Sequence, residues 1–326
     1  MNEEEQRVLA GGGEMGARMR AHDWRQTPLG PVASWSASLR TAVGVVLTSP
    51  YPVALFWGPE LITLYNDSFR PLIGDKHPLG LGMPMPQLFS EVWNVAGPLF
   101  AQVLGTGTPV SLENQPFFMN RQGFLDEGYF SFAYTPVRDE QGRVAGLFDF
   151  VNETTRQVLT ERRFKTLREL SIRTALAQEP ASVLRGAAEV LAHAGHDVPF
   201  AQLYRVEDGT ARLALCSGLA APESTPPWPL AEVLRTGAER FLERLDAQGP
   251  DLHAGPWPEP VRQALLLPVS LVGSAEPDAV LVVGLSPRLA LDESYRDFLR
   301  LLARQVAADM ARTRALEQDK IGRAHV

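Results

Sequence analysis

Cysteine is almost absent from this chain of 326 residues, in which Cys216 is the only one. A single cysteine excludes an internal disulfide framework and a zinc site built from several thiols, and this usage is typical of a reducing compartment. Long apolar runs are absent as well. The first residues, MNEEEQRVLAGGGEMG, are acidic and glycine-rich where a secretory signal would be basic and then apolar. The sequence therefore predicts a cytoplasmic protein without a membrane span.

Charge and short motifs exclude several further classes of function. The chain has 31 basic and 38 acidic residues, and no basic cluster alternates with aromatic residues, so we expect no nucleic-acid surface. The GxxxxGK[ST] phosphate loop, the GxSxG nucleophile turn and the HExxH zinc motif do not occur. An acceptor histidine on a helix and glycine-rich ATP boxes, the marks of a histidine kinase domain, are also missing. We predict no catalytic residue and no metal site in this stretch.

Apolar periodicity predicts a first α+β part. A helix over 36–47 has apolar residues three and four positions apart and ends before Pro50. PVALFW and LITLYN read as strands around a turn at Gly58, and Asn66 or Asp67 is placed to cap the helix that follows. PVSLENQPFF, EGYFSFAYTPVR and RVAGLFDFV complete a predicted five-stranded antiparallel sheet.

A second α+β part follows a long charged helix over 153–178. It contains a helix over SVLRGAAEVLAHA and the strands FAQLYRVE, ARLALCSG, QALLLPVSLVG and DAVLVVGLS. The final helix, from 291 to about 318, has apolar residues near heptad spacing, which is compatible with a parallel dimer. The predicted dimer seam consists of Leu299, Leu302, Val306 and Leu316.

The last residues, IGRAHV, differ in character from the helix before them. They match one reading frame of a common sequencing adapter, so we expect the natural sequence to depart near Asp319 and residues 320–326 to be a non-native tail. An ordinary frayed terminus is the alternative.

The motifs of the two parts resemble two families of sensory domains. The first part is similar to PAS domains in the order of three segments, PVALFWGPELITLYN, LIGDKHPLGLGMPMPQLFSEVW and FVNETT. The similarity is greatest to the PAS domains that open many bacterial sensor histidine kinases, which follow a leader similar to DWRQTPLGPVASWSASLRTAV. The second part is similar to GAF domains in its opening strands, HDVPFAQLYRVEDGTARLALCSGL, and in LLLPVSLVG with the final helix. The resemblance implies an α+β PAS fold followed by a GAF fold, joined and ended by long signalling helices.

The resemblance also implies a division of the chain and a role for it. The division is a flexible tail (1–20), a PAS domain (21–152), a connector helix (153–178), a GAF domain (179–290), a helix toward an output domain (291–319) and the tail (320–326). The implied role is the sensing and dimerisation module of a truncated signalling protein. The parent would be a histidine kinase that acts on a response regulator, and the chain would form a homodimer and bind a small molecule. A serine phosphatase or diguanylate cyclase output, or a stand-alone adaptor, remains an alternative.

The residues that each coloured cofactor requires limit which of them this chain could bind. Flavin–cysteinyl photochemistry needs a cysteine in the PAS core, and residues 22–152 contain none. A covalent bilin needs a reactive thiol, whereas Cys216 lies in a predicted strand, where a structural thiol is more usual. Haem is disfavoured because His22 and His77 lie in the leader and in a loop rather than on a core helix. The identity of any cofactor stays open.

Aromatic residues are the main pocket candidates, because apolar cups with few polar anchors are typical of small-molecule sites. The alternative that they only fill the core stays open, and Asn66 would then be a helix cap alone. The PAS candidates are Trp57, Tyr65, Asn66, Phe69, Trp93, Phe130, Phe132 and Tyr134, and the GAF candidates are Tyr204, Cys216 and Trp228.

Overall fold

The protein is represented by a computed structural model that describes residues 3–120, 123–207, 210–220, 228–245, 251–270 and 277–324. The chain divides into two compact units, residues 1–158 and 159–326. Within the described residues, each unit is an α+β fold with a five-stranded antiparallel sheet. Numbered along each unit, the strands of both sheets follow the order 2-1-5-4-3. Two successive α+β parts are thus present, as the sequence pattern predicts.

The first unit contains a sheet in the order β2-β1-β5-β4-β3 with helices before it and between its second and third strands. Its elements are α1 (Glu3–Val8), α2 (Gly13–Ala21), α3 (Ala37–Thr48), β1 (Val53–Trp57), β2 (Ile62–Tyr65), α4 (Arg70–Ile73), α5 (Met85–Leu88), α6 (Trp93–Thr106), β3 (Val110–Asn120), β4 (Leu125–Arg138) and β5 (Val144–Glu153).

The predicted hairpin and its capped helix are confirmed. β1 and β2 pair antiparallel, and the turn between them begins at Gly58, whose φ of 76° suits a residue without Cβ. The Asn66 side-chain oxygen accepts the backbone N–H groups of Phe69 at 3.0 Å and Val53 at 3.2 Å. Asn66 therefore caps the 3₁₀ turn Asp67–Phe69 that leads into α4, and it also holds the start of β1.

The N-terminal residues are packed, so the prediction of a flexible tail over 1–20 is wrong for the described part of that range. Met15 and Met19 of α2 are fully buried. The Asp67 carboxylate accepts two backbone N–H groups at the start of α2, at 2.7 and 3.1 Å. A Cβ on Gly13 would lie 2.0 Å from Asp67 Oδ2. The glycine-rich run permits this close approach, which composition alone does not distinguish from flexibility.

The second unit has the sheet order β7-β6-β10-β9-β8. The connector helix, α7 (Thr155–Ala175), begins in the first unit and supplies its residues from 159 onward to the second. The remaining elements are α8 (Pro180–Ala192), β6 (Ala201–Glu207), β7 (Thr210–Ser217), α9 (Leu230–Thr236), β8 (Arg240–Leu242), β9 (Ala264–Val269), β10 (Ala279–Gly284) and α10 (Glu293–Ala324).

A buried ion-pair cluster links α7 to the start of α10 within the second unit. Asp197, in the loop after α8, is almost fully buried and accepts hydrogen bonds from Arg162 at 2.6 Å and Arg163 at 3.0 Å. The Arg163 guanidinium also lies 4.4 Å from the centroid of the Tyr295 ring. The Tyr295 hydroxyl donates to the backbone oxygen of Asp197. Charges buried in this way are retained only when they are paired and hydrogen-bonded, so the cluster fixes how α7 meets α10.

The predicted dimer seam on the last helix is largely used inside the chain. Leu299 and Leu302 are fully buried and Val306 is 1% exposed, because this face of α10 packs on α8 and β9. These three side chains are therefore not available to a second copy, whereas Leu316 is 41% exposed. A heptad pattern has the same spacing whether its partner lies in the same chain or in another chain.

The last helix, α10, ends beyond its predicted limit. α10 continues to Ala324, through most of the predicted non-native tail, so the backbone shows no break near 319. Residues 325 and 326 of that predicted tail lie outside the described residues. In the described part of the chain, no helix combines the length and the apolar character that a bilayer span requires.

Candidate functional site

A cavity of about 60 Å³ lies between the sheet of the first unit and the helices that follow its second strand. Its walls are mainly aromatic and aliphatic. The lining residues are Phe56, Phe69, Leu72, Met85, Phe89, Val92, Ala96, Phe117, Met119, Phe130, Phe132, Tyr134, Asp149 and Val151.

Four of the predicted PAS pocket residues line this cavity. Phe130, Phe132 and Tyr134 alternate along β4 and are all buried, while the residues between them are more exposed. The rings of Phe132 and Tyr134 lie 4.6 Å apart between centroids. Phe69 reaches the cavity from the 3₁₀ turn that Asn66 caps. The alternation of β4 therefore places three rings on one face of the sheet.

The other four PAS candidates, Trp57, Tyr65, Asn66 and Trp93, are not among the lining residues. The Tyr65 hydroxyl is hydrogen-bonded to His77 Nδ1 at 2.9 Å, and burial raises the pKa of this phenol to about 12. The side-chain amide of Asn66 forms its hydrogen bonds with backbone groups. Trp93 packs edge-on against Phe100, with centroids 5.6 Å apart. Asn66 therefore holds the backbone near the cavity, and Tyr65 is bonded to the His77 side chain, instead of lining it.

Asp149 is a lining residue that sequence reasoning missed. It lies on β5 opposite Tyr134 of β4 and Ala54 of β1, and it is 8% exposed. Its Oδ1 has no hydrogen-bond partner among the described residues. Burial away from water disfavours the charged form and raises the pKa of this carboxyl to about 8. The cavity thus contains a carboxylic acid that is mostly neutral at neutral pH.

The electrostatic setting of Asp149 extends to its neighbour on β4. Burial, and then the nearby Asp149 charge, hold the pKa of the Tyr134 hydroxyl well above its usual range. Both effects favour neutral forms, so acid and phenol together offer hydrogen-bond donors to an otherwise apolar space. Such a site can bind a small molecule that has one polar or charged group and an apolar body.

The alternation of β5 points away from Asp149 as a lining residue. In the stretch LFDFV, Leu147, Asp149 and Val151 share one face of the strand, while Phe148 and Phe150 share the other. Two phenylalanines beside one aspartate suggest that the aromatic face is buried and the acidic one exposed. In the structure Leu147 is fully buried and Phe150 is 39% exposed, which is the reverse assignment.

The GAF pocket candidates of the second unit converge on Gln202 of β6. The side-chain oxygen of Gln202 accepts hydrogen bonds from the Tyr204 hydroxyl and from Trp228 Nε1, both at 3.0 Å. Its amide nitrogen lies 3.8 Å from the Cys216 sulfur, which contacts the backbone oxygen of Leu219 at 3.4 Å. Cys216 is therefore a half-buried thiol engaged in local contacts. This buried polar cluster can orient one polar group of a ligand, or it can serve packing alone.

The histidines near the end of α8 have structural contacts. His193 Nδ1 lies 2.8 Å from the backbone oxygen of Glu189, and the His196 ring packs edge-on against Trp257 at 5.0 Å. Asp197, next to them, is paired with the two arginines of α7. Across the described residues, no group of three or more histidine, cysteine or acidic side chains is arranged to hold a metal ion.

Comparisons with known proteins return structural similarities only. No family model matches the chain, and no curated protein matches it. The GAF domain of an Acinetobacter phosphoenolpyruvate-protein phosphotransferase is 20% identical over 47% of this chain and 95% of its own, with a TM-score of 0.37. Free methionine-R-sulfoxide reductase of Neisseria meningitidis, solved with its substrate, is 20% identical over 47% and 90%, with a TM-score of 0.37. The GAF domain of a protein assigned as a sensor histidine kinase in Pseudomonas syringae pv. tomato is 20% identical over 52% and 98%, with a TM-score of 0.32.

Proposed function

We propose that this chain is the sensory module of a cytoplasmic signalling protein, with a PAS domain as the ligand sensor and a GAF domain after it. The observation that supports this role most directly is the path of β5, which lines the cavity and then leads at once into α7. A ligand can shift a conformational equilibrium only if it binds the two states differently. A cavity on a strand that continues into a long helix offers a way to couple ligand binding to the position of that helix.

The junction between β5 and α7 is held by hydrogen bonds to β4. Thr154 donates its backbone N–H to the oxygen of Tyr129 at 2.8 Å, and Thr155 Oγ1 accepts the N–H of Tyr129 at 2.9 Å. Val151, four residues before the start of α7, lines the cavity. A change in the spacing of β4 and β5 at the cavity would therefore move the first turn of α7.

Within the second unit, α7 is connected to α10 at two levels. The Asp197 cluster joins the middle of α7 to the start of α10. Farther along, Thr174 Oγ1 donates to Asp309 Oδ2 at 2.6 Å, and Arg312 donates to the backbone oxygen of Thr174 at 2.8 Å. Displacement of α7 would thus be passed to α10, the helix that would lead to an output domain.

A homodimer through α7 is part of the proposal. One face of α7 is buried in its own unit, while Phe164 and Ile172 on another face are 68% and 62% exposed. These two residues are eight positions apart, so they lie on roughly the same side of the helix. A second copy of the chain that covered them would bury apolar surface, and it would leave the internal contacts of Leu299 and Leu302 intact.

The sensory role is tested by joining residues 1–319 to the phosphotransfer and ATP-binding domains of a histidine kinase and measuring autophosphorylation. Ala96→Leu adds side-chain volume to the cavity, and Ala101→Leu adds the same volume on the exposed side of α6. We expect Ala96→Leu to change the rate roughly fivefold or more, the lower end of usual coupling between sites. The fusion is made with the junction shifted by one residue at a time over one helical turn. If Ala96→Leu and Ala101→Leu have equal autophosphorylation rates in every one of these fusions, the proposal is contradicted.

The kinase output is tested by sequencing the source DNA beyond codon 319. A reading frame that continues into a helix with an acceptor histidine and an ATP-binding domain would support the kinase. A phosphatase or cyclase domain there would replace the kinase by that output. A stop codon within a few positions would favour the adaptor.

A further inference from the structure

Asp149 is the one carboxyl group among the described residues that line the cavity of the first unit, and it is unpaired. Asp149 is more than nine-tenths buried, and its Oδ1 has no hydrogen-bond partner in the described part of the chain. A buried carboxyl without a partner costs free energy that an apolar residue at the same place would not. A ligand in the cavity that carries a complementary group would supply the missing partner and offset this cost.

The other walls favour a positively charged partner. Phe56, Phe117, Phe130 and Phe132 line the cavity, and the Phe117 and Phe132 rings lie 5.7 Å apart between centroids. Aromatic faces attract cations, and several rings with one carboxylate are the usual means of recognising an alkylated ammonium group. Among the lining residues, all in the described part of the chain, there is no arginine, lysine or histidine. An anionic ligand could accept hydrogen bonds from the neutral acid and phenol, but it would find no counter-charge among these residues.

The size of the cavity limits the ligand to a few atoms. One water molecule requires about 10–15 Å³ by the same measure. A volume of about 60 Å³ is therefore room for roughly four to six non-hydrogen atoms.

We propose that the first unit binds a small alkylammonium ion, with the charged nitrogen next to Asp149 and its methyl groups against the phenylalanine rings. The inference rests on the proposed sensory function, since it names the ligand class of the same cavity. It assigns Asp149 the role of charge partner and the rings the role of selecting a cation over a neutral molecule of the same shape.

Ion binding at this site is coupled to a proton. With a pKa of about 8, roughly nine-tenths of the Asp149 carboxyl is protonated at about pH 7. Tetramethylammonium has no proton to give or take, so its binding requires the carboxyl O–H bond to break and the proton to pass to the buffer. Tyr134 on β4 is the titratable group that faces Asp149. The paired residue on β1 is Ala54, and the helix residues across the cavity are apolar.

The test is a calorimetric titration of the 326-residue protein with tetramethylammonium chloride, in two buffers of different ionisation enthalpy. We expect affinity to rise about tenfold between about pH 6 and pH 7 and to level off above about pH 8, with nearly one proton released at the lower pH. Above about pH 8, where Asp149 is mostly ionised, tert-butanol, which is neutral and similar in shape, and acetate, an anion, should bind at least about tenfold more weakly than the ion.

Two variants and one control separate the roles of the charge and the rings. Asp149→Asn is close in shape and should lose at least about tenfold in tetramethylammonium affinity, together with the proton release. Phe132→Leu keeps an apolar wall and should lose the preference for the ion over tert-butanol. Asp75→Asn, at an exposed carboxylate, should change neither result. Equal binding of ion and alcohol, or full binding by Asp149→Asn, would overturn the inference.

The same samples distinguish this inference from the sensory function. Hydrogen exchange of the α7 amides is measured with tetramethylammonium and with tert-butanol. If only the alcohol binds and it changes exchange in α7, the alkylammonium ligand is wrong and the sensory role stands. If the ion binds through Asp149 without any effect on α7, the site stands and the sensory role fails.

Discussion

Replacing Asp149 by asparagine should make the stability of the protein less sensitive to pH. The carboxyl pKa is about 8 in the folded protein and 3.8 for an ordinary aspartate. Between these values the unfolded chain has lost the proton while the folded chain keeps it. The folded state therefore binds more protons, and the free energy of unfolding falls as pH rises. Below about pH 4 and above about pH 8, Asp149 adds no further slope.

The size of the effect follows from the span of that window. Each pH unit changes the free energy of unfolding by about 1.36 kcal/mol for one proton, so roughly four units correspond to about 5 kcal/mol. Asparagine has no proton to lose. Compared with the wild type, Asp149→Asn should therefore gain about 5 kcal/mol in stability between about pH 4 and pH 8.

Urea denaturation followed by tryptophan fluorescence at a series of pH values measures this difference. Contributions from every other titrating group cancel when the variant is compared with the wild type at the same pH. Asp75→Asn, at an exposed position, should show no pH-dependent difference. A constant difference between Asp149→Asn and the wild type across the whole range would refute the argument that burial keeps this carboxyl neutral.

Two further substitutions, each with a comparison variant, test the N-terminal packing and the dimer face. Gly13→Ala should destabilise the protein by about 1–3 kcal/mol in urea denaturation, because φ at this position is 53° and the new Cβ would approach Asp67. Gly105→Ala, the comparison variant, has open space around its Cβ position and should stabilise the protein by about 0.5–1 kcal/mol. Phe164→Asp should shift light scattering from dimer to monomer, and it should lower the transition temperature only at protein concentrations where the wild type is a dimer. Leu299→Asp should lower the transition temperature, because it buries a charge. A Phe164→Asp protein that remained a dimer would remove α7 from the interface.

Local patterns predicted the parts of the fold that depend on neighbouring residues. The alternation of Phe130, Phe132 and Tyr134 identified one wall of the cavity, and Asn66 was recognisable as a cap because the helix pattern follows it directly. These features follow from strand periodicity and from unsatisfied N–H groups at a helix start. Both can be read over a few positions of sequence.

Features that depend on distant partners could not be predicted in the same way. Asp149 is buried because β5 lies between β1 and β4 with that face toward the cavity, and Phe148 and Phe150 beside it suggested the opposite face. Leu302 has heptad spacing, but the partner that buries it belongs to the same unit. In each case the sequence pattern identifies an apolar or polar face without identifying what covers it.

The contact between Asp67 and the start of α2 has a consequence for synthesis on the ribosome. The hydrogen-bonded groups are 52 and 53 residues apart in the chain, and the carboxylate is made last. At about 5–20 residues per second, the first helices are synthesised roughly 3–10 s before the residue that anchors α2 has been added. During that interval Met15 and Met19 have no core to enter. A nascent chain stalled before codon 67 should therefore be cleaved by protease near α2, whereas one stalled after β5 has emerged should be protected there.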